Sequence, residues 1–295
     1  MARHRERQAG SVLLVVGLAL VAAVAAWAIH EVIPDPASQH HEGPQRIVSL
    51  SPALTETLFA IGAGDQVVGV SDYTETPAEA VDRPHAGTAI TPDLEELVLL
   101  RPTLIIAQST SMPNLDQMRA IARTRVLDWL SVEDIVAGTR ELGRLTGRER
   151  EADDLANLFV ARLKRTARPD APRVLLLLGY PGGETEQLWF VKRNSLHGKA
   201  LTAAGARNAI DEDVVGPPVL SLERVLQVDP DIIIVLGSTN EDGTVRALRR
   251  LSSLRAVESE RLVTLNDPGM LIPGPRIIDL IESLQAHITA IERHP

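Results

Sequence analysis

Two stretches of this chain echo one another. The first is Leu94-Glu95-Glu96-Leu97-Val98-Leu99-Leu100-Arg101-Pro102, followed by Thr103-Leu104-Ile105-Ile106. The second is Leu222-Glu223-Arg224-Val225-Leu226-Gln227-Val228-Asp229-Pro230, followed by Asp231-Ile232-Ile233-Ile234. In both, a proline follows the glutamate by seven positions and an apolar run rich in isoleucine follows the proline. Proline cannot continue a helix, so each segment reads as a short helix that stops before it. The run beyond reads as a buried strand. Each glutamate falls in the first helical turn, where the helix dipole favours a negative charge. A pseudo-repeat of this kind predicts two similar lobes facing each other across a cleft.

Working outward from the repeat, each lobe opens with a strand led by an arginine, Arg46 or Arg173. In the first lobe Ile47-Val48-Ser49-Leu50 is a strand. It is followed by a helix whose Leu54, Leu58 and Ile61 share a face and which Gly62 and Gly64 end. Val67-Val68-Gly69-Val70 and Val126-Leu127 read as further strands, and residues 118–122 as helical. In the second lobe residues 174–178 and 232–236 read as strands. Residues 195–204 and 276–291 read as helices, the last set off by Pro273-Gly274-Pro275. Alternating strands and helices imply an α/β fold with mainly parallel sheets.

Residues 148–167 contain neither glycine nor proline. Ala152, Leu155, Phe159 and Leu163 form one apolar stripe. Twenty residues at 1.5 Å each predict a helix about 30 Å long, enough to join two lobes. The expected organisation is an export segment over 1–29, a linker over 30–45, an α/β lobe over 46–147, an interlobe helix over 148–168 and a second α/β lobe over 169–295.

The chain has 295 residues, 44% of them apolar and 23% charged, which suits a globular protein with a real core. A net charge of −9 argues against nucleic acid as a partner. With no cysteine, disulfides, thiolate metal sites, cysteine nucleophiles and an acylated lipoprotein anchor are all excluded. Arg3, Arg5 and Arg7 precede an uncharged run over residues 12–29, which orients the following chain outward. That run ends in Ala26-Trp27-Ala28 and reads either as a cleaved signal peptide or as a retained membrane anchor. The proline-containing stretch behind it, with His40-His41, reads as a tether.

Arg46-Ile47-Val48-Ser49-Leu50-Ser51-Pro52, with Thr55-Glu56, Leu58, Gly62 and Val68-Gly69-Val70-Ser71-Asp72-Tyr73, closely resembles the opening of the cobalamin- and iron-chelate-binding proteins of ABC importers. Pro92 to Glu95, Pro102, Gly205 to Asn208 and Pro273 to Arg276 match further blocks in order. The resemblance implies two Rossmann-like lobes joined by one long helix, with the ligand cleft between them. It also implies a metal chelate as ligand, cobalamin first and siderophore or heme next. The chelate would be passed to a permease with its ATPase from a periplasmic or extracytoplasmic position. Glu95 and Glu223 occupy the places that dock on the permease. Tyr73, Trp189, Asp267 and Arg276 occupy or approach ligand-contacting places. No resident cofactor is implied.

The sequence also departs from the cobalamin-binding pattern, with Ala89, Gln108 and Pro217 where those proteins carry tryptophans. A corrin gains affinity from ring stacking and apolar burial, so the departures leave an anionic chelate open, with Lys192 and Arg193 to receive it. His85 and His197 are metal-ligand types by chemistry alone. A membrane-tethered sensor without transport is the alternative function. An enzyme is remote, because the chain has no nucleophile elbow, phosphate loop or zinc His-Glu-x-x-His, and Gly62 and Gly64 do not complete a dinucleotide fingerprint.

Overall fold

The apolar runs behind Pro102 and Pro230 form central strands with every residue buried, Leu104–Ala107 and Ile232–Leu236. Burial on both faces is the mark of a parallel strand covered by helices on either side. The computed structural model that gives this arrangement describes residues 44–108, 112–179, 187–237 and 243–293. The N-terminal apolar run, the His40-His41 pair and residues 180–186 lie outside them. Among the described residues no helix is long and apolar enough to cross a membrane.

The first lobe runs β1 (Ile47–Ser49), α1 (Pro52–Ala60), β2 (Val67–Val70), α2 (Ala78–Val81), α3 (Leu94–Leu100), β3 (Leu104–Ala107), α4 (Leu115–Ile121) and β4 (Arg123–Val126). Its strands pair in parallel in the order β2-β1-β3-β4. Helix α1 buries Ala53 through Leu58 and so has no solvent face over that span.

Two helices follow, α5 (Val132–Thr146) and α6 (Glu149–Leu163). Here the sequence expectation needs correction. The helix predicted over 148–167 covers 15 residues, about 22 Å, and is the second arm of a helical hairpin. It stops at Lys164, four residues short of Arg168-Pro169, leaving Lys164 and Arg165 at a C-terminus that favours cations. The first arm starts with a capping box, in which Ser131 Oγ accepts from Asp134 N at 3.0 Å and Asp134 Oδ2 accepts from Ser131 N at 2.9 Å. It ends at Gly147, whose φ of 68° lets the chain reverse.

The second lobe contains β5 (Arg173–Leu178), β6 (Gln187–Phe190), α7 (Leu196–Ala203), β7 (Arg207–Asn208), β8 (Val219–Ser221), α8 (Leu222–Val228), β9 (Ile232–Leu236), α9 (Gly243–Arg249), α10 (Arg255–Glu258), β10 (Leu262–Leu265) and α11 (Ile277–Arg293). The sheet order is β10-β9-β5-β6-β8. Strands β10, β9 and β5 are parallel, while β6 and β8 add antiparallel pairings.

One hydrophobic cluster runs through both lobes. It joins Ile47, Leu54 and Trp129 to Phe159 of α6 and to Val174, Leu176, Ile232 and Ile281. Arg162 on α6 pairs with Glu282 on α11 at 2.8 Å, and Arg168 with Glu292 at 3.0 Å. Both pairs are solvent-accessible and contribute little beside the shared core.

Candidate functional site

In open parallel α/β sheets, ligands bind outside the carboxyl ends of the strands. Four residues picked out from the sequence lie at such ends. Tyr73 stands three residues beyond β2, with 72% of its surface exposed. Trp189 lies on β6 opposite Leu178, the last residue of β5, so antiparallel pairing carries it to the carboxyl end of that strand. It is 46% exposed, while its neighbours Leu188 and Phe190 point into the core. Asp267 and Arg276 flank the turn that follows β10.

That turn also joins the lobes. Trp129, buried just beyond β4, donates its indole N–H to the carbonyl of Pro273 at 2.5 Å. Its ring rests on Gly138 of α5, where a Cβ would run into it. Gly274 lies over Ala53 and Glu56 of α1; a Cβ built there would stand 3.4 Å from Glu56 Oε2. Arg276 forms an ion pair with Asp267, and its guanidinium covers Gly269 so closely that no Cβ fits beneath it. Asp267 also accepts from Gly269 N at 3.0 Å. The two residues expected at the ligand therefore hold one another.

Glu56 and Trp129 were not among the sequence candidates. Glu56 is 5% exposed. Its Oε1 accepts from the Thr76 hydroxyl, and its buried Oε2 has no hydrogen-bond partner. Desolvation raises its pKa, opposed by the Thr76 hydrogen bond and by Arg276. An open depression of about 710 Å³ is lined by Glu56, Phe59, Thr76, Pro77, Pro275 and Arg276 among others. The available signal was the Thr55-Glu56 pair inside an apolar helix; for Trp129 it was the large apolar area of the ring.

The two repeat helices carry Glu95 and Glu223 on the outside of the protein. Asp93 caps α3 by accepting from the backbone N–H groups of Glu95 and Glu96, each at 3.0 Å. Ser221 caps α8 by accepting from Arg224 N at 3.3 Å. A cap of this kind contributes about 1 kcal/mol and fixes the first turn on which the glutamate stands. Glu223 is held below the usual carboxylate range, first by a hydrogen bond from Ser221. Neither glutamate has an ion-pair partner among the described residues. Val98 and Leu99 are exposed beside Glu95, and Leu226 beside Glu223.

Other sequence candidates are accounted for locally. Lys192 Nζ donates to Gly216 O at 2.7 Å, and Arg193 forms ion pairs with Asp211 and Asp213, each at 3.1 Å. Both cations thus tie down the 211–216 loop. Gln108 accepts from Ser51 Oγ at 2.8 Å, Ala89 is buried and Pro217 is exposed. His85 is exposed, and His197 bonds the carbonyl of Met270 through Nε2 at 2.9 Å. Among the described residues no three or more acidic or histidine side chains come together as a metal site.

A family model described as "Periplasmic binding protein" matches residues 47–268. The chain belongs to the periplasmic binding protein family. It is 27% identical over 257 residues to a vitamin B12-binding protein of Pectobacterium carotovorum subsp. carotovorum, covering 84% of this chain and 90% of that one. A periplasmic heme-binding protein from Pseudomonas aeruginosa superposes with a TM-score of 0.69 at 27% identity, covering 83% of this chain and 93% of that one. The periplasmic heme-binding protein HutB of Vibrio cholerae superposes with a TM-score of 0.71 at 23% identity, covering 83% and 98%. This last likeness speaks to the fold alone. Membership fixes the broad chemistry of this periplasmic binding protein: it binds a substrate and is not an enzyme.

Proposed function

We propose that this chain is the extracytoplasmic substrate-binding subunit of an ABC importer for a metal chelate, a corrinoid first and heme or a siderophore next. The observation that carries the reading is the pair of repeat helices. Each lobe presents one capped, unpaired glutamate on a short helix of identical length, beside exposed apolar side chains. Exposed carboxylates with fixed geometry suit arginines on a permease. In this reading Tyr73 and Trp189 supply exposed aromatic faces for a flat macrocycle, one from each lobe. Arg276, with Asp267, would meet a polar or anionic edge of the chelate. The corrinoid is put first because the vitamin B12-binding relatives match over most of the chain.

The test is absorption spectroscopy of the purified protein after separate addition of cyanocobalamin, hemin and ferric siderophores, followed by desalting. Retention of a corrinoid or heme spectrum, lost in a Tyr73→Ala/Trp189→Ala double variant, is the expected result. Retention of none of the three would remove the chelate reading.

A further inference from the structure

Glu56 is the one buried carboxylate among the described residues, and nothing in the proposed function uses it. It belongs to α1 of the first lobe, while the residues above it, Gly274 to Arg276, belong to the turn of the second. Among the charged groups acting on it, Arg276 alone is positive. Asp267, ahead of the turn, and Asp279, in the first turn of α11, are both negative. Asp65, Glu79, Arg83 and Arg148 complete the charged lining of the depression it shares. Glu56 and Asp267 thus share one guanidinium, which is already paired with Asp267.

With Oε2 unbonded, the ionised Glu56 carboxylate is held first by the hydrogen bond from Thr76 and next by the positive charge of Arg276. Whatever neutralises Arg276 withdraws the second of these. We propose that Glu56 is a positioning residue that couples anion binding at Arg276 to proton uptake at the seam between the lobes. When an anionic group of a ligand engages Arg276, a proton passes from bulk water or buffer to the Glu56 carboxylate, forming one O–H bond and leaving the carboxyl neutral. Reciprocity of linkage then requires that lower pH tighten the binding of an anionic ligand and leave that of a neutral one unchanged. The proposal rests on the reading of Arg276 as a ligand contact.

Hemin, a dicarboxylate, is the probe. Its affinity is measured from pH 5.5 to 8.0 for wild type, Glu56→Gln and Arg276→Gln, with proton uptake counted by calorimetry in buffers of different ionisation heat. Arg276 is present in both wild type and Glu56→Gln, so hemin's propionates meet the same partner in these two proteins and the difference between them is the readout. Wild type is expected to tighten by up to about tenfold per pH unit where a whole proton is taken up. Glu56→Gln should bind with a flatter profile and fewer protons. Identical profiles and proton counts in wild type and Glu56→Gln would overturn the proposal. Thr76→Val serves where Glu56→Gln fails to fold: removing the hydrogen bond to the carboxylate should move the pH dependence upward. An unmoved pH dependence there would count against the proposal.

Failure of hemin to bind, or indifference to Arg276→Gln, sinks the ligand reading instead. The ligand-free protein then decides the coupling through the carboxyl ¹³C resonance of Glu56. Its titration midpoint should rise in Arg276→Gln; an unmoved midpoint would remove the coupling itself.

Discussion

Arg46 and Arg173, which head the first strand of each sheet, make the same contact in the two lobes. Arg46 Nη2 donates to the carbonyl of Leu100 at 2.7 Å and Nε to that of Arg101 at 3.2 Å. Arg173 Nη2 donates to Val228 O at 3.1 Å and Nη1 to Asp229 O at 3.5 Å. Leu100 and Val228 hold the same place in the sequence repeat, as do Arg101 and Asp229. The backbone follows suit, with Arg101 and Asp229 in the left-handed region at φ of 45° and 42°. Each arginine is a cation placed at a helix C-terminus, where orphan carbonyls and the dipole both favour it. The repeat is therefore a three-part unit of strand, helix and arginine clamp, and it fixes Glu95 and Glu223 to their sheets in the same way.

Loss of the clamp should cost more in the second lobe. Arg173 is half-buried and also reaches Ala209 O at 3.3 Å, so Arg173→Ala strands several carbonyls. A cost of about 1–3 kcal/mol is expected. Arg46 is exposed and water can replace it, so Arg46→Ala should cost less than about 1 kcal/mol. Urea unfolding of the two variants measures both, and equal losses would show that burial does not set the difference.

The Trp129 anchor should be sensitive to volume in both directions. Gly138→Ala places a methyl group against the ring. Overpacking of this sort costs about 1–3 kcal/mol. Trp129→Phe keeps most of the apolar surface but leaves Pro273 O without its donor, for about 1–2 kcal/mol. Thermal unfolding reports both. Unfolding should stay a single transition in Gly138→Ala, since the shared core still joins the lobes.

What the sequence disclosed follows from local chemistry. Pro102 and Pro230 mark the ends of α3 and α8 because proline stops a helix whatever surrounds it. Helix α5 is not predicted from the sequence although Ser131 and Asp134 stand at capping-box spacing, because Gly138 and Gly143 interrupt its apolar stripe. Strand β6 follows residues 180–186, whose glycines and proline read as loop, and its alternation spans only four residues. Among the candidate site residues, Tyr73 was legible as an aromatic in a matching block and Trp189 as one near a ligand-contacting place. The Arg276–Asp267 pair was not, because it depends on how the turn after β10 folds back on itself, and the burial of Glu56 was not, because it depends on that turn lying over α1 of the first lobe.

His197 gives a pH dependence with a definite sign. Burial lowers its pKa below the ordinary value of 6.5, and the bond to Met270 O opposes this only in part. The unfolded chain therefore binds the proton more readily than the folded one. The contribution of His197 is fully present above pH 6.5 and is lost as pH falls through its lowered folded value. Wild type should lose stability over that window on acidification, and His197→Gln should lose less. Urea midpoints at pH 7.5, 6.5 and 5.5 test this; parallel curves would assign the acid sensitivity elsewhere.

The docking role proposed for Glu95 and Glu223 should be separable from ligand binding. Glu95 and Glu223 stand exposed in the first turns of α3 and α8 and are different side chains from the aromatic and Arg276 candidates. Glu95→Ala/Glu223→Ala should leave chelate affinity within about twofold and abolish stimulation of the permease ATPase. The single variants should differ. Glu95 has the exposed Val98 and Leu99 beside it, whereas Glu223 has Leu226, which is less exposed than either. The apolar contact at α3 persists when Glu95 alone is removed, so Glu95→Ala should be the milder variant. A reciprocal change, Val98→Ser/Leu99→Ser, should then weaken docking with ligand affinity intact. Full ATPase stimulation by the double glutamate variant would show that these helices face solvent and nothing else.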